Sequence, residues 1–473
     1  MYARLLAGDA DYNGRFFFGV VTTGIYCLPS CRARKPRPEN VRFFPSCEAA
    51  RAAGLRACRK CHPDDFARGA DPVLESVEAL VAEIRTDPAA FADARAVVRR
   101  SGFGPTRLFE LLRQHFHATP ADLLLRARLD AAKRALLAGN DSLGDVAAAA
   151  GFESLSTFHD SFRRRAGVTP TAYRELRNTQ AFEIGLPEGY PLPYLRRALG
   201  RDSQSLTERL DGDDYRAAIQ LADGPVLLKL QLSPRTVAVR FEPIGTQAAG
   251  AAEVHARVAG LLGLDQDAAA FSRLARKLGL ARLVAGRTEL RISQTPSVFD
   301  GLLWAIVGQQ INFAFACLLK RRLVERAGTP VAGHALYAPP TPAAVAALTP
   351  DDLLSLQFSR QKAAYVIGTA RLVAEGRLDL EAPRTMSATR AERTLLELHG
   401  LGPWSVHYLM MRSLGFPDCV PLGDTGVTSG LQALLKLEKR PDVDATRRLM
   451  AVFAPFRSLA TAQLWQFKKP IPS

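Results

Sequence analysis

The chain has 473 residues, of which 47% are hydrophobic and 23% are charged, as in globular proteins that fold in water. This length predicts roughly three or four domains of about 100–200 residues each. The sequence contains no apolar run of about 18 residues, which excludes a membrane-spanning helix, and its first residues lack the apolar core of a signal peptide. We therefore expect a cytoplasmic protein without a membrane partner.

The net charge of the chain is +15, and it is spread over both halves. Residues 1–180 carry a net charge of +7 and residues 181–473 of +8. Such an excess favours an acidic polymer, above all DNA, as the partner. A high-GC genome, which enriches Arg and Ala, is the alternative explanation of the charge.

Two close cysteine pairs, Cys27/Cys31 and Cys58/Cys61, are separated by 26 residues. Two such pairs can supply four thiolates to one tetrahedral zinc ion in a closed structural site. Disulfides and free thiols are the alternatives. Because the N-terminus shows no secretion signal, we expect the thiols to stay reduced, which favours a single zinc ion.

The segment from Arg32 to Lys60, which lies between the first and the last of these cysteines, is strongly basic. Its only acidic residues are Glu39 and Glu48. Nine of its residues are basic: Arg32, Arg34, Lys35, Arg37, Arg42, Arg51, Arg56, Arg59 and Lys60. A zinc module with this charge predicts contact with DNA, and Arg34 and Arg42 are candidates for that contact.

Five motifs in this region carry a family resemblance: Gly14–Val20, Thr22–Cys27, Cys31–Arg34, Asn40–Phe44 and Cys58–Cys61. They resemble the N-terminal domain of the Ada methyl sensors. The resemblance implies that Cys27 accepts a methyl group, once, from a DNA methylphosphotriester. Zinc keeps a thiol deprotonated, and a thiolate is the nucleophile that this transfer needs. A purely structural zinc is the alternative.

The Ada family often carries a second methyltransferase domain with a Pro-Cys-His-Arg motif, which this sequence lacks. We therefore expect no guanine-directed methyltransferase activity. Cys47, Cys317 and Cys419 have no partner at a metal-binding spacing, so we assign them no role.

Residues 72–177 are rich in Ala, Leu and Arg with helical periodicity, which predicts an all-α domain. Within it, residues 147–158 form the pattern of two helices joined by a tight turn at Gly151. This pattern and residues 162–170 resemble the second helix-turn-helix of AraC-type regulators. Asp160 stands where that family usually has a basic residue, which weakens the prediction of base-specific binding.

A first, weaker helix-turn-helix unit is predicted from Ala96–Arg100, a turn at Gly102–Gly104 and a helix over Pro105–Phe116. On that helix Arg107 and Arg113 are expected to point outwards and to reach bases or phosphates. An ordinary helical domain is the alternative for the whole region.

From 182 to about 242, apolar and polar residues alternate, which predicts an antiparallel sheet. A helix is expected near Pro193–Leu199. Residues 178–187 have the composition of a linker that runs into the first strand. After about residue 250 the pattern is helical to the end of the chain.

A helical hairpin is predicted at Leu398–Ser405, where two helices join through a Gly-x-Gly turn. The backbone N–H groups of such a turn suit a DNA phosphate. With Val420–Gly426, the hairpin resembles helix-hairpin-helix DNA glycosylases, specifically the AlkA-type 3-methyladenine glycosylases, over about 180–470. The resemblance implies that Gly400 and Gly402 contact the DNA backbone.

The same resemblance assigns the remaining site residues. Asp424 matches the catalytic aspartate, whose carboxylate would stabilise the oxocarbenium-like sugar, although a simple helix N-cap is the alternative. Gln310 matches the residue that wedges into the duplex as the base is flipped. The base pocket, an aromatic surface for a cationic base, is assigned to Trp404, Tyr408 and Phe456.

Two further expectations concern the C-terminal half of the chain. Trp304 and Trp465 are expected in the core. No lysine stands at a position suited to Schiff-base attack, so we expect a monofunctional glycosylase that needs no cofactor.

The expected fold class is multidomain α+β in four parts. These are a small zinc-bound α/β module at 1–70, an all-α double helix-turn-helix domain at 72–177, an antiparallel sheet subdomain at 180–292 and an all-α helix-hairpin-helix glycosylase domain at 293–470.

We interpret the chain as a nucleoid-associated alkylation-damage response protein. Its front half regulates transcription, with double-stranded DNA and RNA polymerase as partners, and its back half excises alkylated purines. Two alternatives stay open. One is a regulator whose C-terminal half only binds damage, and the other is a glycosylase whose N-terminal half only targets DNA.

Overall fold

The computed structural model describes residues 1–31, 33–69, 71–245 and 249–469. Arg32, one of the nine basic residues named above, lies outside the described residues. The chain divides into two compact units, Met1–Glu83 and Ile84–Ser473. Within the described ranges, no helix is long and apolar enough to cross a membrane.

The first unit is built on a four-stranded sheet of order β3-β1-β2-β4, in which only β2 and β4 run parallel. Its elements are α1 (Tyr2–Ala7), β1 (Phe17–Val20), β2 (Ile25–Cys27), β3 (Val41–Phe44), α2 (Cys47–Ala52), β4 (Arg56–Ala57), α3 (Pro63–Ala67) and most of α4 (Pro72–Thr86), whose last three residues belong to the second unit. Among the described residues, its core includes two small clusters, one around Tyr26 and one that joins Leu5 and Phe18 to the cysteines. A core of this size gains much from a metal crosslink.

The second unit begins with the helices in which the sequence predicts two helix-turn-helix motifs. They are α5 (Ala94–Ser101), α6 (Pro105–Phe116), α7 (Pro120–Ala138), α8 (Leu143–Ala149), α9 (Leu155–Ala166) and α10 (Pro170–Glu175). Gly151, between α8 and α9, has φ +88°, and a Cβ there would lie 2.9 Å from Ala89 Cα. This turn therefore requires glycine.

A five-stranded antiparallel sheet of order β5-β9-β8-β7-β6 follows. Its elements are β5 (Ala181–Gly185), α11 (Leu192–Leu199), β6 (Glu208–Asp211), β7 (Asp214–Leu221), β8 (Gly224–Leu232) and β9 (Thr236–Pro243). The alternation in the sequence predicts this sheet, because every second side chain of β8 and β9 is buried on the same face. The predicted helix near Pro193–Leu199 is α11.

The predicted linker at 178–187 is a structured segment. β5 occupies its centre and pairs with β9. Ile184 is fully buried, and the N–H of Gly185 donates to the carbonyl of Gly167, at 2.7 Å, at the end of α9. The composition resembled a linker because the strand is short and only partly apolar.

One apolar core joins the helix-turn-helix region to the sheet. Phe158, Phe162 and Tyr173 belong to the same cluster of buried side chains as Ile184 and Val254. The two regions therefore form one packed body, with α12 (Ala251–Leu262) against the sheet.

The rest of the unit is a helical domain around a second large core. Its elements are α13 (Ala268–Lys277), α14 (Ala281–Val284), α15 (Val298–Val307), α16 (Phe313–Ala327), β10 (Thr329–Pro330), β11 (Tyr337–Ala338), α17 (Pro342–Ala346), α18 (Pro350–Ser355), α19 (Arg360–Ala374), α20 (Ala388–Leu396), α21 (Pro403–Arg412), α22 (Thr425–Leu435), α23 (Val443–Ala451) and α24 (Arg457–Phe467). The two-residue pair β10–β11 departs from the predicted all-helical pattern.

Candidate functional site

The four cysteines of the two sequence pairs lie together in the first unit. Cys27 ends β2, and Cys58 follows β4, the strand that runs parallel to β2. The loops after these strands bring in Cys31 and Cys61. The four sulfur atoms all lie within 4.8 Å of one another.

This donor set fits a zinc ion. Zinc–sulfur bonds of about 2.3 Å in a tetrahedron place the sulfurs roughly 4 Å apart, which agrees with the cluster. Hydrogen bonds to the Cys31 and Cys61 sulfurs and burial raise the pKa of the Cys27 thiol well above its ordinary value. Four crowded sulfurs therefore need a cation to become thiolates together. The N–H of Leu28 also donates to Cys61 Sγ at 3.4 Å. Of the candidate DNA contacts in this unit, Arg34 and Arg42 are both exposed.

Asp424 lies at the start of α22, directly after a turn. Its Oδ1 accepts from the N–H of Val427 at 2.9 Å, so it is the N-cap of the helix. The same oxygen accepts from Trp465 Nε1 at 2.9 Å, and Oδ2 accepts from Trp404 Nε1 at 3.1 Å. In the part of the chain that the structure describes, no cation pairs with this carboxylate. Its charge is thus oriented but not neutralised.

Aromatic rings surround this carboxylate. Trp404 and Tyr408 stack with centroids 5.3 Å apart and an interplanar angle of 18°. Tyr408 lies 6.1 Å from the Trp465 ring, and its hydroxyl accepts from Trp304 Nε1 at 3.1 Å. Trp304 and Trp465, expected in the core, are half-buried members of this cluster. Both also pack against the large core of the helical domain, which agrees with the expectation.

Phe456, which the resemblance assigns to the base pocket, has other neighbours in the structure. Its ring packs at 6.4 Å from that of Phe271. It lines a separate cavity of about 200 Å³ together with Arg113 and His117. Trp465, nine residues further along the chain on α24, donates to Asp424.

The hairpin between α20 and α21 has its Gly-x-Gly turn braced from two sides. Gly400 has φ +95°, and a Cβ there would lie 2.3 Å from the ring of Tyr365. Gln309 Nε2 donates to the Gly400 carbonyl at 2.8 Å. Gly402 is exposed at the N-cap of α21, with open space around its Cα.

Gln310 lies next to this brace, in the turn between α15 and α16. It is exposed and has φ +55°, a conformation that residues other than glycine rarely adopt. The turn thus holds the Gln310 side chain at the surface, directly after Gln309, which contacts the hairpin.

The loop that leads to the catalytic candidate Asp424 is held by hydrogen bonds of His407 and by one ion pair. His407 Nδ1 accepts from the N–H of Val420 at 3.1 Å, and its Nε2 lies 3.0 Å from Glu392 Oε1. Arg457 donates to both oxygens of Asp418 at 2.8 Å. Burial raises the pKa of Asp418, but Arg457 outweighs this effect and lowers it. The loop is therefore fixed before any ligand arrives.

The two arginines predicted on α6 differ in their surroundings. Arg107 is exposed and pairs with Glu110 at 3.6 Å. Arg113 does not point outwards as predicted. It is half-buried, lies 5.4 Å from the ring centroid of Phe109 and lines the cavity that contains Phe456. Burial lowers its pKa.

α6 packs against α20, the first helix of the hairpin. His115 Nδ1 lies 2.8 Å from Thr389 Oγ1 across this contact. No feature of the sequence alone could have shown that the first helix-turn-helix unit is partly covered by the hairpin domain.

Sequence reasoning also missed a polar cavity of about 120 Å³ beside the aromatic cluster. Trp304 and Tyr408 form part of its wall, and Glu208, Asp300 and Lys320 line it as well. These charged residues come from separate elements, so only the tertiary structure brings them together.

Three family models match the chain in order. They describe the metal-binding domain of Ada over residues 1–64, a helix-turn-helix domain over 97–176 and the HhH-GPD superfamily of base excision DNA repair proteins over 303–455. A Mycobacterium tuberculosis protein called "Probable bifunctional transcriptional activator/DNA repair enzyme AlkA" is 30% identical over 488 residues, which cover 98% of this chain and 95% of that protein. The chain belongs to this family.

Other relatives of the family resemble one half of the chain each. The DNA-3-methyladenine glycosylase of Bacillus subtilis is 34% identical over 206 residues, or 43% of this chain and 68% of that one. The Ada protein of Escherichia coli, a bifunctional transcriptional activator/DNA repair enzyme, is 32% identical over 175 residues, or 36% and 47%.

Among solved structures, a 3-methyladenine DNA glycosylase from Archaeoglobus fulgidus is similar with a TM-score of 0.54 and 22% identity. The match covers 61% of this chain and 98% of that one. At this identity the likeness shows the fold alone, that of the C-terminal half.

Proposed function

We propose that this member of the family releases alkylated purines of the 3-methyladenine type from double-stranded DNA with its C-terminal half, assigned to residues 180–470. One observation carries the proposal. The Asp424 carboxylate is held by two indole N–H groups at the edge of a stacked Trp–Tyr pair. An oriented anion beside aromatic faces suits a cationic base on a sugar that becomes positively charged.

The reaction follows from these groups. An alkylated purine carries a positive charge, so it binds to the electron-rich faces of Trp404 and Tyr408. It departs as a neutral base when the N-glycosidic bond breaks and takes the bonding electrons. Asp424 stabilises the positive charge that develops on the sugar and orients the water that adds to it.

The base must leave the helical stack before it can reach Asp424. Gln310, exposed in a left-handed turn, fills the gap in the duplex, while Gly400 and Gly402 offer the N–H groups of the hairpin to a phosphate. Gln309 donates to the Gly400 carbonyl and so links the turn that carries Gln310 to the hairpin. This link supports the proposal that the turn and the hairpin contact the duplex together.

The lysine that lines the adjoining cavity favours a monofunctional glycosylase. Lys320 Nζ lies 3.0 Å from Asp300 Oδ1. Burial lowers the pKa of Lys320, but the charges of Asp300 and Glu208 outweigh it and raise this pKa. An ammonium held in this way is a poor nucleophile for Schiff-base attack, so strand cleavage is not expected, and the glycosylase needs no cofactor.

In the N-terminal half, we infer that Cys27 accepts a methyl group from a DNA methylphosphotriester. One zinc ion, held by Cys27, Cys31, Cys58 and Cys61, would keep the sulfurs deprotonated. The Cys27 thiolate attacks the methyl carbon, the carbon–oxygen bond breaks, and the phosphate oxygen keeps the electron pair. Arg34 and Arg42 are exposed and would face the backbone.

This transfer also supplies a switch. It turns a thiolate into a neutral thioether, so the module loses one negative charge and binds DNA more tightly. The helix-turn-helix region would then hold promoter DNA and meet RNA polymerase. If promoter affinity stayed the same after methylation, the N-terminal half would only target the glycosylase to DNA.

The glycosylase is tested by release of free bases from methylated duplex DNA. Wild type should release 3-methyladenine, and Asp424→Asn should lose nearly all of this release while it keeps a normal melting temperature. No release by folded wild type would leave a regulator with a damage-binding C-terminal half.

The methyl acceptor is tested with DNA that carries labelled methylphosphotriesters. Cys27→Ser should take up no label, whereas Cys47→Ser should take it up as wild type does. Cys47 is a suitable control because it is buried outside the four-cysteine cluster and contacts the Pro63 carbonyl.

A further inference from the structure

A row of basic side chains crosses the outer face of the five-stranded sheet. The strand register places each of them directly opposite the next: Arg209 of β6 opposite Arg216 of β7, Arg216 opposite Lys229 of β8, and Lys229 opposite Arg240 of β9. Residues that lie opposite each other on neighbouring strands share one face of the sheet. The four side chains therefore form a single line, the basic row, which is about 14 Å long at roughly 4.8 Å per strand.

The basic row lies on the face of the sheet that is turned away from the core. Arg209, Arg216 and Arg240 are exposed, and Lys229 is half-buried. The side chains that alternate with them along the strands lie in the apolar core on the other face: Tyr215, Ala217, Leu228, Leu230, Val239 and Phe241. One face of the sheet thus holds the fold together, and the other presents the basic row to solvent.

Most of the charge in the basic row is not neutralised within the chain. Lys229 Nζ lies 2.6 Å from Glu242 Oε1. Among the described residues, no carboxylate forms an ion pair with Arg209, Arg216 or Arg240, and Arg209 donates to the Ser203 carbonyl. Like charges directly opposite each other on a sheet destabilise it. A bound polyanion would remove this repulsion.

The surroundings of the basic row favour a narrow partner. Asp214 and Glu183 lie on the same face two residues before the row in the direction of Arg216 and Arg240, and Glu242 lies two residues beyond it, at about 7 Å along the strands. A broad acidic protein surface would meet these carboxylates as well. A single phosphodiester strand can follow the line between them. Guanidinium groups suit it, because each donates two parallel N–H groups to phosphate oxygens.

We propose that the basic row binds the phosphate backbone of duplex DNA. Its residues are distinct from those of the aromatic cluster around Asp424 and from those of the two helix-turn-helix units, so it is an additional DNA-binding surface. A length of about 14 Å corresponds to roughly four phosphates of one strand at 3.4 Å of helix axis each. Binding of this kind depends on neither base sequence nor alkylation. It would hold the sheet subdomain on DNA whether or not the reaction centre is occupied.

The test measures binding of the whole zinc-loaded chain to an undamaged DNA duplex by fluorescence anisotropy at several salt concentrations. The variant Arg209→Gln/Arg216→Gln/Arg240→Gln removes three charges and keeps polar side chains. Each lost phosphate contact lowers the slope of log affinity against log salt by about 0.9, so the slope should become shallower by roughly two to three. Without DNA, the variant should melt no lower than wild type, because repelling charges have been removed.

The matched control is Arg273→Gln/Arg276→Gln/Lys277→Gln. It removes three exposed basic residues from α13, in the same unit of the chain, and lowers the net charge by the same amount. Its slope should change by less than about one. If the variant of the basic row does not fold, Arg216→Gln alone replaces it, with an expected change of about 0.9 in the slope.

Two results would overturn the proposal. Equal changes of slope in the variant of the basic row and in the control would show an effect of net charge alone. A slope like that of wild type would show that DNA does not meet the basic row, and an acidic protein segment would then be the partner that fits it. Both results are independent of the glycosylase, because the duplex contains no alkylated base.

Discussion

At the scale of single residues, the carboxylate of Asp424 serves two purposes. It caps α22 through the N–H of Val427, and it faces the aromatic cluster. The two interpretations that the sequence leaves open, N-cap and reaction centre, are therefore compatible. The helix fixes one oxygen, and the indole N–H groups fix the orientation of the carboxylate plane.

Trp465→Phe should lower the single-turnover rate of 3-methyladenine release roughly tenfold. The change removes the N–H that donates to Asp424 Oδ1 but keeps an aromatic ring beside Tyr408, and a hydrogen bond to a charged group has about this effect. Phe456→Leu is the control and should stay within about twofold of wild type. A larger loss in Phe456→Leu than in Trp465→Phe would return Phe456 to the base pocket.

Sequence reasoning succeeded at residues whose motif fixes the position, and it failed where the position depends on packing. The cysteine spacing places four sulfurs together, and the hairpin motif brings Trp404 near Asp424. Phe456 and Trp465 lie on one helix, and no local pattern says which of them meets the carboxylate. The ion pair of Lys320 joins two helices and shows no motif at all.

At the scale of elements, the hairpin offers two glycines with different constraints. Gly400 needs a positive φ and touches Tyr365, whereas Gly402 is open to solvent. Both have the same appearance in the Gly-x-Gly pattern. The structure separates the glycine that shapes the turn from the one that has open space beside it.

Gly400→Ala should lower both the melting temperature and the affinity for duplex DNA that contains an abasic site. The added Cβ clashes with the Tyr365 ring and strains the turn by about 1–3 kcal/mol. Gly402→Ala should keep the melting temperature but weaken DNA binding, because its methyl group blocks the approach of a phosphate. Thermal unfolding and fluorescence anisotropy measure the two quantities. Full affinity in Gly402→Ala would show that the phosphate does not meet this turn.

The sequence predicts helices and strands well where the spacing of apolar residues defines them. The alternation of β7, β8 and β9 predicts the sheet, and the glycine turns predict both helix-turn-helix pairs. The contact of α6 with α20 was not predictable, since each helix is amphipathic on its own and a sequence does not show its partner. Arg113, an expected DNA ligand, is half-buried beside a cavity that only the tertiary structure forms.

At the scale of the whole molecule, the unit Ile84–Ser473 is more continuous than the three separate domains predicted for it would be. The helix-turn-helix region shares its core with the sheet, and α6 packs on the hairpin. His255 of α12 lies 2.8 Å from the Ala166 carbonyl at the end of α9, inside that shared core. Regulation and repair thus use one packed body in this half of the chain.

Two histidines, the buried His255 and the half-buried His117, make the stability of this unit depend on pH. Burial lowers the pKa of His255 and of His117 to about 4, against an ordinary value of 6.5. Below pH 6.5 the unfolded chain binds protons that the folded state does not accept until about pH 4. The free energy of unfolding should therefore fall as the pH drops from 6.5 to 4, by at most about 3 kcal/mol for each histidine, and should not depend on them above pH 7.

Urea unfolding followed by tryptophan fluorescence at pH 7.5, 6.0 and 5.0 measures this effect. All three tryptophans lie in Ile84–Ser473, so zinc loss from the cysteine cluster at acid pH does not enter the signal directly. His255→Gln keeps a hydrogen-bond donor for the Ala166 carbonyl but cannot titrate, so its midpoint should depend less on pH than that of wild type. Carboxylates with a lowered pKa, such as Asp418, act only below about pH 4 and leave this window unchanged. An equal slope in the variant and wild type would exclude His255 as the cause, and the shared core would then owe its acid sensitivity to another group.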